Sequence, residues 1–176
     1  MTDLNDDPDG CPIVGGSLAT TANYEPPVYI AVRMKVAPKG GTYWTSLVSY
    51  SPNGWMPEND AFEFECTDSK SFTTSTHRLV NGEHKMPMTR KFKFPVDLSE
   101  DFHIYSASIY TNGMVTYLDN VQILDYTEAG MNVEPFYFMI ENQIFQNANP
   151  KLISPENLKK MFPMAAIVDW IKIYKP

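Results

Sequence analysis

Residues 55–65 read Trp-Met-Pro-Glu-Asn-Asp-Ala-Phe-Glu-Phe-Glu, a tight group of carboxylates set between aromatic side chains. Successive side chains of a β-strand point to opposite faces, so the alternation at the end of this stretch predicts a strand. Phe62 and Phe64 then face a core, and the acidic residues face away from it. The stretch has no lysine or arginine to compensate its charges, which argues against a solvated helix.

The four carboxylates of this stretch can share one face of the strand only if its register shifts. In an even strand Glu58 and Asp60 share a face, and so do Glu63 and Glu65. One extra residue, a β-bulge at position 61 or 62, brings all four together. Crowded carboxylates repel one another, so one of them tends to keep its proton near neutral pH. An acid/base pair for cleaving a glycosidic bond needs this arrangement.

The bulk composition limits the partners that the protein can bind. The 176 residues suffice for one domain with a sizeable core. Fourteen Lys and Arg against 21 Asp and Glu give a net charge of -7. This balance argues against nucleic acid and anionic membranes, because little here would neutralise phosphates. An aromatic content of 13% is compatible with stacking on sugar rings.

Targeting and redox compartment stay open at the sequence level. No apolar run approaches transmembrane length, and the first residues lack the basic and apolar regions of a signal peptide. We expect a secreted or cell-surface protein if an export signal has been removed. Cys11 and Cys66 either pair or remain free thiols, with Cys66 in the core.

Short strand-like segments, each ended by turn residues, recur from residue 28 to the end of the chain. Asn81-Gly82 and Thr111-Asn112-Gly113 predict hairpin turns. The pattern predicts an all-β, antiparallel two-sheet sandwich. We expect an N-terminal arm over residues 1–23, a single domain over 24–176, and one short helix over 155–161. The predicted strands are 28–36, 43–50, 61–66, 72–79, 91–94, 102–110, 114–118, 121–124, 136–140 and 167–174.

Six motifs follow one another in a fixed order over residues 28–176. They are Arg33-Met34-Lys35 with Trp44, Glu58-Asn59-Asp60-Ala61-Phe62-Glu63 after Trp55, Thr-Thr-Ser-Thr-His at 73–77, Phe-His-Ile-Tyr at 102–105, Tyr-Leu-Asp at 117–119, and Val-Asp-Trp-Ile-Lys-Ile-Tyr at 168–174. In this order they resemble glycoside hydrolase family 16, the laminarinase, lichenase, agarase and carrageenase group. The resemblance implies a concanavalin A-like jelly roll.

The resemblance also implies a retaining mechanism on a β-linked polysaccharide. Glu58 is the expected nucleophile, Glu63 the expected acid/base, and Asp60 the residue that tunes the pair. The two working carboxyl groups of a retaining enzyme lie roughly 5 to 5.5 Å apart. Strand residues on one face are about 6.6 Å apart along the strand, so the bulge is a geometric requirement.

Further residues are assigned by their place beside these carboxylates. Trp55, Glu65, His77 and Trp44 are the candidates for substrate binding, with core packing or a solvated strand edge as the alternatives. The resemblance places Asp169 near a structural calcium site that many relatives carry, with a capping or surface role as the alternative. No cofactor is required. We expect a monomer whose partner is a polysaccharide or oligosaccharide.

Departures from the family pattern keep a second hypothesis open. Asn59 stands where the family has an aliphatic core residue, and aromatic residues are missing near Val48 and Ile109. An unbulged motif with Ala61 at the nucleophile position would also keep the phenylalanines in the core. The protein is therefore either an endo-hydrolase or transglycosylase, or a catalytically inactive carbohydrate-binding or structural protein of the same fold.

Overall fold

Eleven β-strands form the regular structure of the residues that the computed structural model describes, which are 15–38, 43–65, 67–144 and 164–175. In chain order the strands are β1 Gly16–Ala19, β2 Val28–Lys35, β3 Tyr43–Tyr50, β4 Glu58–Glu65, β5 Ser71–Val80, β6 Glu83–Lys93, β7 His103–Tyr110, β8 Gly113–Leu118, β9 Val121–Thr127, β10 Tyr137–Ile144 and β11 Ile167–Tyr174. Within the described ranges there is no helix, so none that would cross a membrane.

The strands form two antiparallel sheets. A six-stranded sheet has the order β1-β10-β3-β4-β5-β6, and a five-stranded sheet has the order β11-β2-β7-β8-β9. The predicted all-β, two-sheet architecture is confirmed. The predicted helix over 155–161, Cys11 and Cys66 lie outside the described residues.

Aromatic side chains fill the space between the sheets at the level of β4. Phe62 and Phe64 are buried, as the alternation in β4 predicts. Both rings contact Tyr105 of β7 edge-on, with centroids 5.2 and 5.3 Å apart, and Phe62 also contacts Phe72 of β5 at 5.0 Å. Such edge-to-face contacts favour one packing of the core over others. They hold the inner face of β4 in place, and its outer face is left for the carboxylates.

The segment expected as an N-terminal arm contains an edge strand in its last part. Gly16–Ala19 pairs with β10, from Gly16 opposite Asn142 to Ala19 opposite Met139. All four residues of β1 are exposed. The strand is held by its backbone ladder, so no alternation of apolar side chains marked it in the sequence.

The predicted hairpin at Asn81-Gly82 is present between β5 and β6. Val80 pairs with Glu83 across a two-residue turn, and both turn residues have positive φ, 55° and 80°. Asn-Gly suits this turn because both residues tolerate the left-handed region. The turn sets the β5–β6 register and brings His84 opposite Leu79.

Candidate active site

β4 lies inside the six-stranded sheet, between β3 and β5, and it carries the predicted bulge. On the β5 side Asp60 pairs with Ser75 and Glu63 pairs with Thr73, so residues 61–62 lie opposite a single residue. The register with β3 shifts at the same point. The bulge therefore changes which face the second half of β4 presents, as the spacing of the carboxylates requires.

Ala61 lies on the inner side of the bulge. Its side chain belongs to the buried apolar cluster, together with Phe62 and Phe64. Its carbonyl accepts a hydrogen bond of 2.9 Å from the Thr74 hydroxyl of β5. The side chains of Glu58, Asp60 and Glu63 contact groups on the other face of the sheet, described next. We call this side the acidic face.

Glu58 begins β4 and is only 7% exposed. The indole N–H of Trp55 donates a hydrogen bond to its carboxylate. Burial, and after it the negative charge of Asp60, raises the pKa of Glu58 to about 7. Burial and the charge of Glu58 also raise the pKa of Tyr50, which lies opposite Glu58 on β3. Glu58 is therefore a carboxylate that changes its charge near neutral pH.

Asp60 is fully buried and pairs with a histidine of β5. His77 Nε2 lies 2.9 Å from Asp60 Oδ2. This contact with Asp60 raises the pKa of His77, and burial raises the pKa of Asp60 although His77 opposes the shift. On its other side His77 Nδ1 lies 2.8 Å from Nε2 of His84, and the two rings stack with an interplanar angle of 13°. A polar chain thus runs from Asp60 through His77 to His84.

Glu63 follows the bulge and is held by two donors. The Trp44 indole N–H donates a hydrogen bond of 3.1 Å to Oε1, and the Ser75 hydroxyl donates one of 2.7 Å to Oε2. Burial raises the pKa of Glu63, against the opposing effect of the Ser75 hydrogen bond. A raised pKa favours the protonated form, which is the form a general acid needs.

Of the other predicted substrate-binding residues, Trp55 lies against the acidic face and Glu65 lies at its rim. Trp55 is 55% exposed, and its ring lies 5.1 Å from that of His84 and 6.2 Å from that of His77. It therefore combines an exposed ring with a direct contact to Glu58. Glu65 ends β4 at the exposed rim, where its side chain pairs with Lys91 at 3.2 Å.

The calcium site expected near Asp169 stays a prediction. This residue lies on β11 in the five-stranded sheet and forms an ion pair with Arg33. Calcium takes six to eight oxygen ligands. Within the described ranges, the side chains of Glu58, Asp60 and His77 are the one group of three or more His, Cys, Asp or Glu residues close enough to share an ion, and Asp169 is not among them.

Several residues of the site were missed at the sequence level. Ser75 lies two residues before His77 on β5, so strand alternation would have placed both side chains on the same face of the sheet. The position of His84 could have been predicted from the Asn81-Gly82 turn, because this turn fixes the β5–β6 register. Arg78 is buried beneath Glu58 and donates a hydrogen bond to its carbonyl. Its burial carried no signal in the sequence, since a charged residue near a hairpin normally faces solvent.

Comparison with known proteins identifies the fold and the family. The family model Glycosyl hydrolases family 16 matches residues 13–148. An endo-β-1,3-glucanase from Pyrococcus furiosus is similar in structure, with a TM-score of 0.72 and 23% identity over 90% of this chain and 65% of that one. The laminarinase catalytic domain from Thermotoga maritima gives a TM-score of 0.71 and 21% identity over 91% of this chain and 68% of that one.

A β-agarase A solved with oligoagarose is also similar, with a TM-score of 0.70 and 15% identity over 91% of this chain and 66% of that one. This chain thus spans about two thirds of the length of these three proteins. A search of curated proteins gave no significant match. The family model covers well over half of the 176 residues, and the chain therefore belongs to glycosyl hydrolases family 16.

Proposed function

We propose that the protein is a retaining endo-hydrolase of a β-linked polysaccharide. The observation that carries this proposal is the bulge in β4, because it gives Glu58, Asp60 and Glu63 one common face. The three carboxylates have different neighbours there, namely Trp55, His77, and Trp44 with Ser75. Different surroundings are what allow neighbouring carboxylates to take different roles.

In the first step the Glu58 carboxylate attacks the anomeric carbon of the sugar. The bond from this carbon to the glycosidic oxygen breaks, and the protonated Glu63 gives its proton to the departing oxygen. The raised pKa of Glu63 keeps the proton available, and the hydrogen bonds from Trp44 and Ser75 hold the carboxyl in position. A covalent glycosyl ester on Glu58 results.

In the second step Glu63, now ionised, takes a proton from a water molecule. The water oxygen forms a bond to the anomeric carbon while the ester bond to Glu58 breaks. Two displacements at the same carbon leave its configuration unchanged. Glu58 returns as a carboxylate and Glu63 as an acid, so the site is ready for another turnover.

Asp60 and His77 adjust the charge of the nucleophile. Asp60 is a direct cause of the raised pKa of Glu58, and His77 lies in ion-pair contact with Asp60 at 2.9 Å. The Trp55 hydrogen bond acts in the opposite direction and stabilises the ionised Glu58 that attacks. Together these opposing effects give Glu58 a pKa of about 7, so the attacking carboxylate forms as the pH rises toward this value.

The position of Ala61 supports Glu58 as the nucleophile. An unbulged motif would need Ala61 on the same face as Glu63, but the Ala61 side chain lies in the buried apolar cluster. The inactive alternative then depends on whether the acidic face performs chemistry or only binds sugar.

We propose a neutral β-glucan as the substrate class. The structurally similar proteins include a β-1,3-glucanase and a laminarinase, beside the agarase. A sulfated galactan would favour cations at the acidic face, yet the Arg78 guanidinium is buried on the inner side of the sheet. Among the residues that the structure describes, the one ion-pair partner of the three carboxylates is His77, which contacts Asp60.

The test is the release of reducing ends from a panel of β-glucans and galactans. We expect release from at least one glucan, and we expect Glu58→Ala and Glu63→Gln to abolish it while both variants still bind the polymer. Arg33→Lys, in the other sheet, is the matched control and should keep full activity. A wild-type protein that binds a glucan without cleaving it would establish the non-catalytic alternative.

A further inference from the structure

A polar network lies beneath the acidic face, in the interior where a β-sandwich normally has apolar side chains. Arg78 of β5 is 7% exposed, and Asn59 of β4 is 2% exposed. Arg78 Nη2 donates to Asn59 Oδ1 at 2.9 Å. Asn59 Nδ2 in turn lies 2.9 Å from both Ser49 Oγ of β3 and Asn132 Oδ1. The unusual Asn59 therefore has all the partners that a buried amide needs.

The network reaches the opposite sheet through Asn132. Its Nδ2 donates to the carbonyl of Tyr110 at 2.6 Å, and its backbone N–H donates to the carbonyl of Thr111 at 3.0 Å. These carbonyls belong to the β7–β8 hairpin of the five-stranded sheet. Hydrogen bonds through Asn132 thus connect β4, which carries the acidic face, to the β7–β8 hairpin of the five-stranded sheet.

Arg78 also binds the backbone of the two strands directly beneath the site. Nη1 donates to the carbonyl of Glu58 at 2.8 Å and to the carbonyl of His77 at 2.6 Å. Glu58 and His77 are opposite each other in the β4–β5 ladder. One guanidinium nitrogen therefore holds the backbone of the proposed nucleophile and that of the histidine that pairs with Asp60.

Stability alone does not account for a buried arginine at this place. Burial lowers the pKa of Arg78, because an interior with little water disfavours its charge. Replacing a whole buried ion pair by apolar groups of similar volume often leaves a protein equally stable or more stable, so the burial of a charge is weak evidence of a stabilising role. The contacts of Arg78 with Glu58 and His77 instead indicate a geometric role, since a displacement of about 1 Å costs an enzyme about a hundredfold in rate.

We propose that Arg78 is a positioning residue, which fixes the backbone of Glu58 and His77 relative to each other and so sets the geometry of the acidic face. The inference rests on the proposed hydrolase function. Arg78 does not touch the substrate, because it lies on the inner side of β5. Only a planar fork reaches both carbonyls and the Asn59 amide at once, so lysine cannot replace it.

The test compares Arg78→Lys with wild type and with Arg33→Lys. Lysine keeps the charge and loses the fork, so the change reports geometry rather than electrostatics. We expect kcat per folded molecule to fall about 10- to 100-fold with KM within about twofold. Arg33 pairs with Asp169 in the other sheet, so Arg33→Lys should match wild type.

A second readout does not depend on turnover. The pKa of His77, followed by NMR, is raised by its contact with Asp60. If Arg78 sets the spacing of the two strands, this pKa falls toward its ordinary value in Arg78→Lys. If wild type cleaves no polysaccharide, the hydrolase function is rejected. The pKa of His77 in Arg78→Lys then decides by itself whether Arg78 positions the two strands.

Unchanged kcat and an unchanged His77 pKa in folded Arg78→Lys would overturn the proposal. Arg78→Gln, which retains one amide donor, serves as the second variant. If neither variant folds, Arg78 is a residue of the core and the positioning role is rejected.

Discussion

Replacing the proposed nucleophile by its amide should stabilise the folded protein at alkaline pH. Burial and the charge of Asp60 raise the pKa of Glu58 from 4.5 to about 7. The folded state therefore holds this proton more tightly than the unfolded chain does. The stabilisation is complete below the unfolded pKa of 4.5 and is lost as the pH rises through about 7. Glu58→Gln cannot ionise, so the variant does not lose this stability as the pH rises.

The size of the effect follows from the same shift. A rise from 4.5 to about 7 corresponds to about 3 kcal/mol, at about 1.4 kcal/mol for each pKa unit. Trp55 beside Glu58 is exposed, so solvent screens part of the repulsion, and we expect about 1 to 2 kcal/mol. Glutamine keeps the volume of the side chain and an oxygen for the Trp55 N–H.

The assay is chemical denaturation of wild type and Glu58→Gln at pH 4.5 and pH 8. The variant should be more stable at pH 8, nearly equal to wild type at pH 4.5, and inactive at both. Glu65→Gln is the matched control on the same strand, because Glu65 is exposed and pairs with Lys91. It should show no pH-dependent gain. A Glu58→Gln protein less stable than wild type at pH 8 would show that the fold does not disfavour the ionised Glu58.

Two further predictions concern the pH dependence of kcat/KM. The rising limb of the wild-type profile should have an apparent pKa near 7. Asp60→Asn should move this limb to lower pH, because the charge of Asp60 raises the pKa of Glu58. A limb that stays in place would show that Asp60 does not tune the nucleophile. Trp55→Phe keeps an aromatic ring and loses the N–H whose hydrogen bond lowers the pKa of Glu58, so the rising limb should move to higher pH. A shift to lower pH would contradict this hydrogen bond.

The arrangement of the acidic face was predictable because it depends on local sequence. The spacing of Glu58, Asp60 and Glu63 required a bulge at position 61 or 62, and the ladders of β4 shift at that point. The Asn81-Gly82 turn was predictable for the same reason, since its residues specify the backbone conformation.

Features without local periodicity were not predictable. The first half of β6, Glu83 to Pro87, is exposed and lies at a sheet edge, so no apolar alternation marks it. The partners of Arg78 and Asn59 come from several strands and from Asn132, far along the chain. A buried polar network becomes visible only when the sheets are assembled, because its members look like surface residues in sequence.

Azide rescue of Glu58→Ala shows whether Glu58 is the nucleophile of a retaining enzyme. Glu58→Ala is assayed with an aryl β-glucoside and sodium azide, and the product is identified by NMR. Azide occupies the space of the missing carboxylate and attacks from that side, so we expect restored release of the aryl group and an α-glycosyl azide. Glu63→Ala should instead give the β-azide, since the glycosyl ester on Glu58 still forms. A β-azide from Glu58→Ala, or no rescue of that variant while Glu63→Ala is rescued, would show that Glu58 is not the nucleophile.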